Sequence, residues 1–498
     1  MELNEIGRRI NSAERCHLIG IGGVSMSPLA EILKGMGVSV TGSDINDGPA
    51  IGRLRSVGID VTVGHSAANV RGAGYVIRSA AAREDNIEII TARELGIPVF
   101  ERAQAFGYIM REYKNAVCVS GVHGKTTTTS MITHILLAAE ADPTVMIGGT
   151  LPVLGCGYRV GNGDTIVLES DEYYNSFHNF LPTIAIVLNV DADHLDFFRD
   201  IDDVKSSFRK FASLVPGSGY IICNGDDADT MEALAPLGRE LFTFGFGDTT
   251  EFGDATESGA LSASCSAEAK NIDGESLVAE TAVRCAASPP LRVRGVNISA
   301  EGRNTKADVL FDGKYFCRIK LRIPGVHNLK NALAATSAAI ALGLPAKAIE
   351  EGLSCYTGAV RRLEYKGSCK GAHIYDDYAH HPRELRATLD AVFTLGYKRV
   401  IIAFQPHTFS RTKALFSDFV TELSRADVTF LAEIYAAREK NDTSISSGVL
   451  AEAIPGARCF ASFPEIADEI AAIAREGDII LTVGAGDIYK VGEMLVQI

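Results

Sequence analysis

Ala116-Val117-Cys118-Val119-Ser120-Gly121-Val122-His123-Gly124-Lys125-Thr126-Thr127-Thr128-Thr129 reads as a buried strand that turns through a glycine loop into a helix. The helix continues through Ser130-Met131-Ile132-Thr133-His134-Ile135-Leu136-Leu137. Such a turn is built for phosphate. Glycines let backbone N–H groups close around oxygens, Lys125 reaches the outer phosphates, the Thr126 hydroxyl suits Mg²⁺, and the helix aims its positive end at the anion. Val119 stands where the longer form of this motif has its first glycine, so the pattern is only Gly121-x-x-Gly124-Lys125-Thr126.

Outward from this loop the chain alternates short apolar runs with helical lengths. Upstream, His17-Leu18-Ile19-Gly20-Ile21-Gly22-Gly23, a helix through Leu29–Leu33, and Val38-Ser39-Val40-Thr41-Gly42-Ser43-Asp44 make a β-α-β opening. Gly20-x-Gly22-x-x-Ser25 with Asp44 further on fits either a dinucleotide or another diphosphate-linked nucleoside. Downstream, strands are expected at 165–169, 184–190 and 220–224, and an alanine-rich helix from Asn328 to Leu342 stops at Gly343, a residue suited to a C-terminal cap. The last portion places buried strands at 372–377, 399–404, 428–432 and 478–483. The fold class expected is α/β with three doubly wound domains: Rossmann-like over 1–106, P-loop over 107–355, and Rossmann-like over 356–498. Residues near 248–290 lose hydrophobic periodicity and are rich in Ser, Ala, Glu and Gly, which reads as a surface insertion with some edge strand.

A chain of 498 residues is too long for one hydrophobic core and suits about three domains. The net charge of −14 argues against nucleic acid or an anionic membrane as the main partner. A phosphate-bearing ligand must then be drawn by a local positive pocket. Ten cysteines without a Cys-x-x-Cys pair, and a polar start at Met1-Glu2-Leu3-Asn4, lead us to expect reduced thiols in a cytoplasmic protein. No apolar run approaches the roughly eighteen residues of a membrane span. We expect a monomer or weak homodimer.

Two acidic turns flank the phosphate loop. Glu169-Ser170-Asp171-Glu172 ends one apolar strand and Asp191-Ala192-Asp193-His194 ends the next. Carboxylates and an imidazole beside a triphosphate suit Mg²⁺, whereas helix capping by acids is the plainer reading of each alone. Adjacent His380 and His381 do not share a helical face, which disfavours zinc. Phe404-Gln405-Pro406-His407-Thr408-Phe409-Ser410-Arg411 offers an imidazole and a guanidinium to a carboxylate, or else is a solvated loop.

Taken in order, these motifs closely resemble the Mur ligase family, over nearly the whole chain. The marks are His17–Ser27, Gly121–Thr129, Glu169–Glu172, Asn189–Asp196, Gly325-Val326-His327-Asn328-Leu329-Lys330-Asn331-Ala332, Asp376–Pro382 and the Pro406-His407 loop. The resemblance implies one domain for a UDP-sugar, one for ATP, and one that closes over both with the incoming amino acid. It implies ATP and Mg²⁺ as cofactors, UDP-N-acetylmuramate and L-alanine as partners, and an amide formed through an acyl phosphate. Catalytic roles fall on Lys125, His194 and Arg362. Gly121, Val122, His123, Gly124, Lys125, Thr126, Thr127, Asn328, Asn331, Arg362 and Asp377 would bind ATP. Thr126, Glu169 and His194 would hold Mg²⁺, with Glu169 preferred in its cluster because it directly ends the strand. Gly20, Gly22, Gly23, Asp44, Ser79 and Arg102 would take the UDP-sugar, and Tyr378, His380, His407 and Arg411 the amino acid.

Departures from the family pattern stand at Ser25 and Pro28, where glycines are common, and at Thr408, where an arginine is common. Arg209 occupies the place at which related ligases carry a carbamylated lysine, so no carbamate is expected. Alternatives are a tripeptide-recycling relative in the same family, a nicotinamide-dependent oxidoreductase built on the front fingerprint, and a non-catalytic UDP-sugar sensor.

Overall fold

The computed structural model describes residues 2–12, 14–79, 81–194, 197–247, 291–437, 439–440, 442 and 444–497. The expected 248–290 insertion and Leu195-Asp196 of the second acidic motif lie outside the described residues. The strands that are described fall into three sheets, each confined to its own span of the chain.

The first sheet is five parallel strands in the order Asp60–Val63, Val40–Asp44, Cys16–Ile19, Tyr75–Arg78, Val99–Glu101. Cys16 to Ile19 are all buried, as expected of a strand covered on both faces. The chain order reverses beside this central strand, and the Gly20–Gly23 loop leaves its carboxyl end at that crevice.

The second sheet has ten strands: Lys314–Leu321, Asn304–Phe311, Val293–Glu301, Phe242–Gly245, Tyr220–Asn224, Ile184–Val187, Asn115–Ser120, Thr165–Glu169, Thr144–Leu151 and Cys156–Arg159. Asn115–Ser120 divides its side chains by the two-residue period of a strand. Val117 and Val119 pack on one face with Ile132 and Ile135 of helix Lys125–Ala138 and with helix Val326–Ala341. Ala116 and Cys118 face the other side, among Phe208 and Phe211 of helix Ile201–Ser213. That second core runs on without a break into the first domain through Phe106 and Ile109, so the first two sheets share one apolar seam.

Three strands over 293–321 form an antiparallel meander at one edge of this sheet, where the sequence reading placed none. Its signal is alternation: Cys317, Ile319 and Leu321 are buried while Arg318 and Lys320 are exposed. Helix Val326–Ala341 follows and ends as expected, with Gly343 at φ +73°, the left-handed setting that favours glycine.

The third sheet runs Glu364–Cys369, Ala372–Asp377, Asp478–Val483, Arg399–Phe404, Val428–Ala432, Arg458–Phe460. Only its first strand is antiparallel. The four strands expected here have the bounds read from the sequence. Among the described residues, no helix is long and apolar enough to cross a membrane.

Candidate functional site at the domain junction

The phosphate loop joins strand Asn115–Ser120 to helix Lys125–Ala138. Gly121 has φ +138°, and a Cβ there would lie 2.9 Å from the Leu188 Cβ and 3.2 Å from the Asn189 nitrogen. Only glycine lets the loop lie this close to the neighbouring strand end. Asn189 clips the loop from both sides: its Oδ1 accepts the His123 N–H at 2.8 Å and its Nδ2 donates to the His123 carbonyl at 2.9 Å. Gly124 has φ +84°, and a Cβ there would fall 2.6 Å from the Asn331 Oδ1. Asn331 therefore sits directly over the loop.

Lys125 Nζ donates to the Gly121 carbonyl at 2.7 Å and to Glu172 Oε2 at 2.8 Å. Burial pulls this ammonium down, but Glu172, Asp171 and Glu169 outweigh it and hold the lysine above its usual value. It stays charged. The two acids at the ends of the Glu169–Glu172 turn are used differently. Glu169 accepts the Thr126 hydroxyl at 3.2 Å and the Gly148 N–H at 2.7 Å. Glu172 is buried, with its Oε1 3.8 Å from His194 Nε2.

Ligand atoms of Asp171, Glu172 and His194 all lie within 4.8 Å of one another. Two carboxylates and an imidazole facing a phosphate loop fit a hard divalent cation, with Thr126 and Glu169 alongside. The geometry thus favours Glu172 over Glu169 as the acid that faces His194. A strand end shows where an acidic turn begins, not which carboxylate the turn carries inward.

Asp191 and Asp193 meet cations. Asp191 lies 3.3 Å from His123 Nε2 and 3.0 Å from Arg383 Nε. His123 Nδ1 is 3.3 Å from Glu384 of the third domain. Burial works against the His123 imidazolium, but hydrogen bonds to Asp191 and Glu384 hold its pKa up to about 9. Asp193 Oδ1 accepts from Arg411 Nε at 3.0 Å and Nη2 at 2.8 Å. These pairs seat the third domain on the second. Sequence reasoning read Asp191 and Asp193 as part of an acidic turn suited to Mg²⁺ or to helix capping, and assigned no individual role to Asn189 or Glu384. Glu384 had a local signal of its own, as the acid three residues into the helix capped by His381.

A cavity of about 200 Å³ opens beside the loop, with Gly124, Thr127, Asn328, Asn331, Arg362 and Asp377 in its wall. The nucleotide set read from the sequence is therefore brought together from two domains. Asn328 is turned by its Nδ2 to the Pro324 carbonyl at 2.7 Å. Burial pushes the Asp377 carboxyl up to about 6, against the pull of Arg362 and the N–H groups of Ala379 and Leu363.

Tyr378, His380, His407 and Arg411 form a connected row. Ring centroids are 5.6 Å apart for Tyr378 and His380 and 5.6 Å for His380 and His407, and Arg411 Nη1 is 3.2 Å from His407 Nδ1. Burial, with the nearby His380 and Arg411, pushes His407 down to about 3, so it is neutral. Burial also lowers His380. Thr408 is left-handed at φ +67° and donates its N–H to the Tyr435 carbonyl at 2.9 Å.

In the first domain, Gly22 donates its N–H to Asp44 Oδ2 at 2.9 Å. Ser79 packs on Gly20, 3.1 Å from where a Cβ would stand. Gly23 closes the turn by donating to the Gly20 carbonyl at 3.1 Å. Arg102 donates to the Ser25 hydroxyl, which gives the serine a use that glycine lacks. Pro28 lies in the first turn of helix Met26–Gly35, where a missing N–H costs little. Arg209 donates to the Ala233 carbonyl at 2.8 Å.

Three α/β units around a phosphate loop, with a cationic lysine, a metal-type donor group and a third unit contributing to the wall of the nucleotide cavity, define a nucleotide-dependent enzyme. Comparison with known proteins narrows this. The family models for the Mur ligase catalytic domain, middle domain and glutamate ligase domain match residues 15–114, 119–339 and 361–486. The chain belongs to the Mur ligase family. It is 41% identical over 488 residues to a UDP-N-acetylmuramate--L-alanine ligase of Caldanaerobacter subterraneus, with 97% of each chain covered. A ligase of the same name from Clostridium novyi is 40% identical, again over 97% of each chain. The crystal structure of UDP-N-acetylmuramate-alanine ligase from Thermotoga maritima superposes with a TM-score of 0.74 at 27% identity, covering 97% of this chain and 98% of that one.

Proposed function

We propose that this protein joins L-alanine to the carboxylate of UDP-N-acetylmuramate with cleavage of ATP to ADP and phosphate, in the cytoplasm, as a step of peptidoglycan precursor synthesis. The observation that carries the reading is full-length similarity to alanine-adding ligases together with a charged Lys125 and the Glu172–His194 group at the mouth of the phosphate loop.

The muramate carboxylate attacks the γ-phosphorus of ATP; an acyl–oxygen–phosphorus bond forms and the bond to the β-bridging oxygen breaks, releasing ADP. Two anions must meet in this step. Lys125, fixed by the Gly121 carbonyl and Glu172, spreads the charge of the moving phosphoryl group. Mg²⁺ would be held by His194 and Glu172, with Thr126 and Glu169 beside it, and supplies positive charge to the phosphate oxygens. The loop N–H groups and the start of helix Lys125–Ala138 cradle the polyphosphate, while Asn328, Asn331, Arg362 and Asp377 close the cavity that receives the nucleoside. Gly20, Gly22, Gly23 and Arg102, with Asp44 and Ser79 shaping the pocket, receive the UDP-sugar.

The alanine amine then attacks the acyl carbon, and phosphate leaves from the tetrahedral intermediate. Free alanine carries an ammonium group, which must lose a proton before its nitrogen can attack. His380 Nδ1 lies 3.0 Å from the Tyr378 carbonyl; donation there leaves Nε2 free to accept that proton, and burial favours the neutral ring that can do so. Seating the third domain through His123–Glu384 and Arg411–Asp193 keeps water from the acyl phosphate.

The test is phosphate release by the full-length protein with ATP, Mg²⁺, UDP-N-acetylmuramate and a panel of amino acids. Release is expected to require L-alanine and the UDP-sugar together. Release with a tripeptide but not with L-alanine would overturn the assignment in favour of a peptide-recycling ligase. No dependence on either would point to a sensor, and hydride chemistry with NAD to an oxidoreductase.

A further inference from the structure

His194 is left-handed, at φ +53°, in a region that a side-chain-bearing residue adopts only when something holds it there. Its carbonyl accepts the Phe197 and Phe198 N–H groups at 2.8 and 2.9 Å, and two further contacts hold it. Its N–H donates to Asp193 Oδ1 at 2.7 Å, and its ring stacks on Tyr173 with centroids 4.4 Å apart. The oxygen that takes the His194 N–H is also the one that takes both Arg411 bonds from the third domain. Arg411 and Asp193 are each less than a tenth exposed, so this pair is poorly screened. One carboxylate oxygen thus joins the closing domain to the backbone of the imidazole that faces Glu172.

We propose that Asp193 is a positioning residue that couples seating of the third domain to the metal site: Arg411 fixes its carboxylate, and the fixed carboxylate holds His194 in the conformation that presents its ring to Glu172. With the third domain open, Asp193 loses its partner and the histidine relaxes. The divalent ion is then held well only when the amino-acid-bearing domain is in place, which ties phosphoryl transfer to closure. Asp193 touches no reacting atom. The inference rests on the reading of His194 as a metal donor.

The test uses the full-length protein saturated with ADP and Mn²⁺ as the probe, with free Mn²⁺ read by electron paramagnetic resonance. Asp193→Ala and Arg411→Ala are each expected to weaken Mn²⁺ binding by about tenfold, the lower end for loss of a residue that orients a metal ligand. The double variant should be no weaker than the worse single one, because both act through one oxygen. Asp193→Asn keeps an acceptor for the His194 N–H and should recover part of the loss, and Arg411→Lys serves if an alanine variant does not fold. His194→Ala is the control. If it loses Mn²⁺ while Asp193→Ala and Arg411→Ala bind as the parent does, or if the two losses multiply in the double variant, the coupling is wrong and the metal reading stands. If His194→Ala itself binds Mn²⁺ unchanged, the metal reading fails and the coupling with it.

Discussion

Replacing Lys125 by alanine removes the one ammonium that the structure fixes inside the phosphate loop. Its side chain is only 14% exposed, with its nitrogen 2.7 Å from the Gly121 carbonyl and 2.8 Å from Glu172. A phosphoryl oxygen about 4 Å from such a charge, at the effective dielectric of a partly buried site, gains about 4 kcal/mol, and part of that gain is already present in the ground state. Loss of a single electrostatic donor in an enclosed site lowers turnover by about 10² to 10³. Lys125→Ala is therefore expected to reduce kcat for phosphate release by about that factor at saturating substrates, and further if the unpaired Glu172 disturbs the metal group. ADP binding, read by thermal shift, should weaken far less, because the loop N–H groups and the cavity wall remain. Lys125→Arg should recover little, since a planar guanidinium cannot occupy the place of a compact ammonium between the Gly121 carbonyl and the Glu172 carboxylate. A kcat within tenfold of the parent enzyme would refute the reasoning.

Glu169→Gln and Glu172→Gln separate the two acids: the Glu172 variant should raise the Mg²⁺ concentration for half-maximal activity by tenfold or more, and the Glu169 variant should do so less, because its carboxylate is engaged with Thr126 and Gly148. An equal or reversed order in a Mg²⁺ titration would count against the proposed donor set. Gly124→Ala places a Cβ at φ +84° and 2.6 Å from the Asn331 Oδ1; with left-handed strain of about 1–2 kcal/mol, ADP affinity measured by calorimetry should fall roughly tenfold, and unchanged affinity would dismiss the close fit of Asn331 on the loop. Glu88 is buried in the first domain; burial alone would raise its carboxyl, but His17, Ser43 and Asn69 hold it at about 2. Its folded pKa is depressed, so its stabilisation, about 3 kcal/mol from that shift, is present above the unfolded value of about 4.3 and lost as pH falls toward 2. Pulse proteolysis in urea should show the parent losing about 2 kcal/mol between pH 6 and pH 3 through this group, with Glu88→Gln showing a correspondingly smaller loss; parallel acid profiles for the two proteins would remove Glu88 from the account.

The elements legible in the sequence were those whose signal is local. Strands 399–404, 428–432 and 478–483 are covered on both faces beyond their first residues, so each reads as a nearly continuous apolar run. The phosphate loop was legible because Gly121, Gly124, Lys125 and Thr126 do their work within six residues. The meander over 293–321 was not, since it follows a stretch without periodicity and its alternating strands are exposed on one face.

The acidic turn after strand Thr165–Glu169 shows a deeper limit. Its sequence places several carboxylates at the sheet edge, but Tyr174 and Asn175 are both left-handed, at φ +53° and +54°, and the turn ahead of them delivers Glu172 rather than Glu169 to His194. Which oxygen faces inward is decided by backbone torsions that no spacing encodes. The pairs that seat the third domain are harder still, because Arg411 and Asp193 are 218 residues apart and each has an ordinary local reading, one as a carboxylate binder and the other as a cap. Only when both lie at one junction does a single oxygen prove to serve the arginine and the histidine N–H together. The chemistry of this chain is thus written in local motifs, and the proposed coupling in contacts between motifs; Arg411, legible as a ligand for the incoming amino acid, lies in the folded protein on the same Asp193 oxygen that takes the His194 N–H.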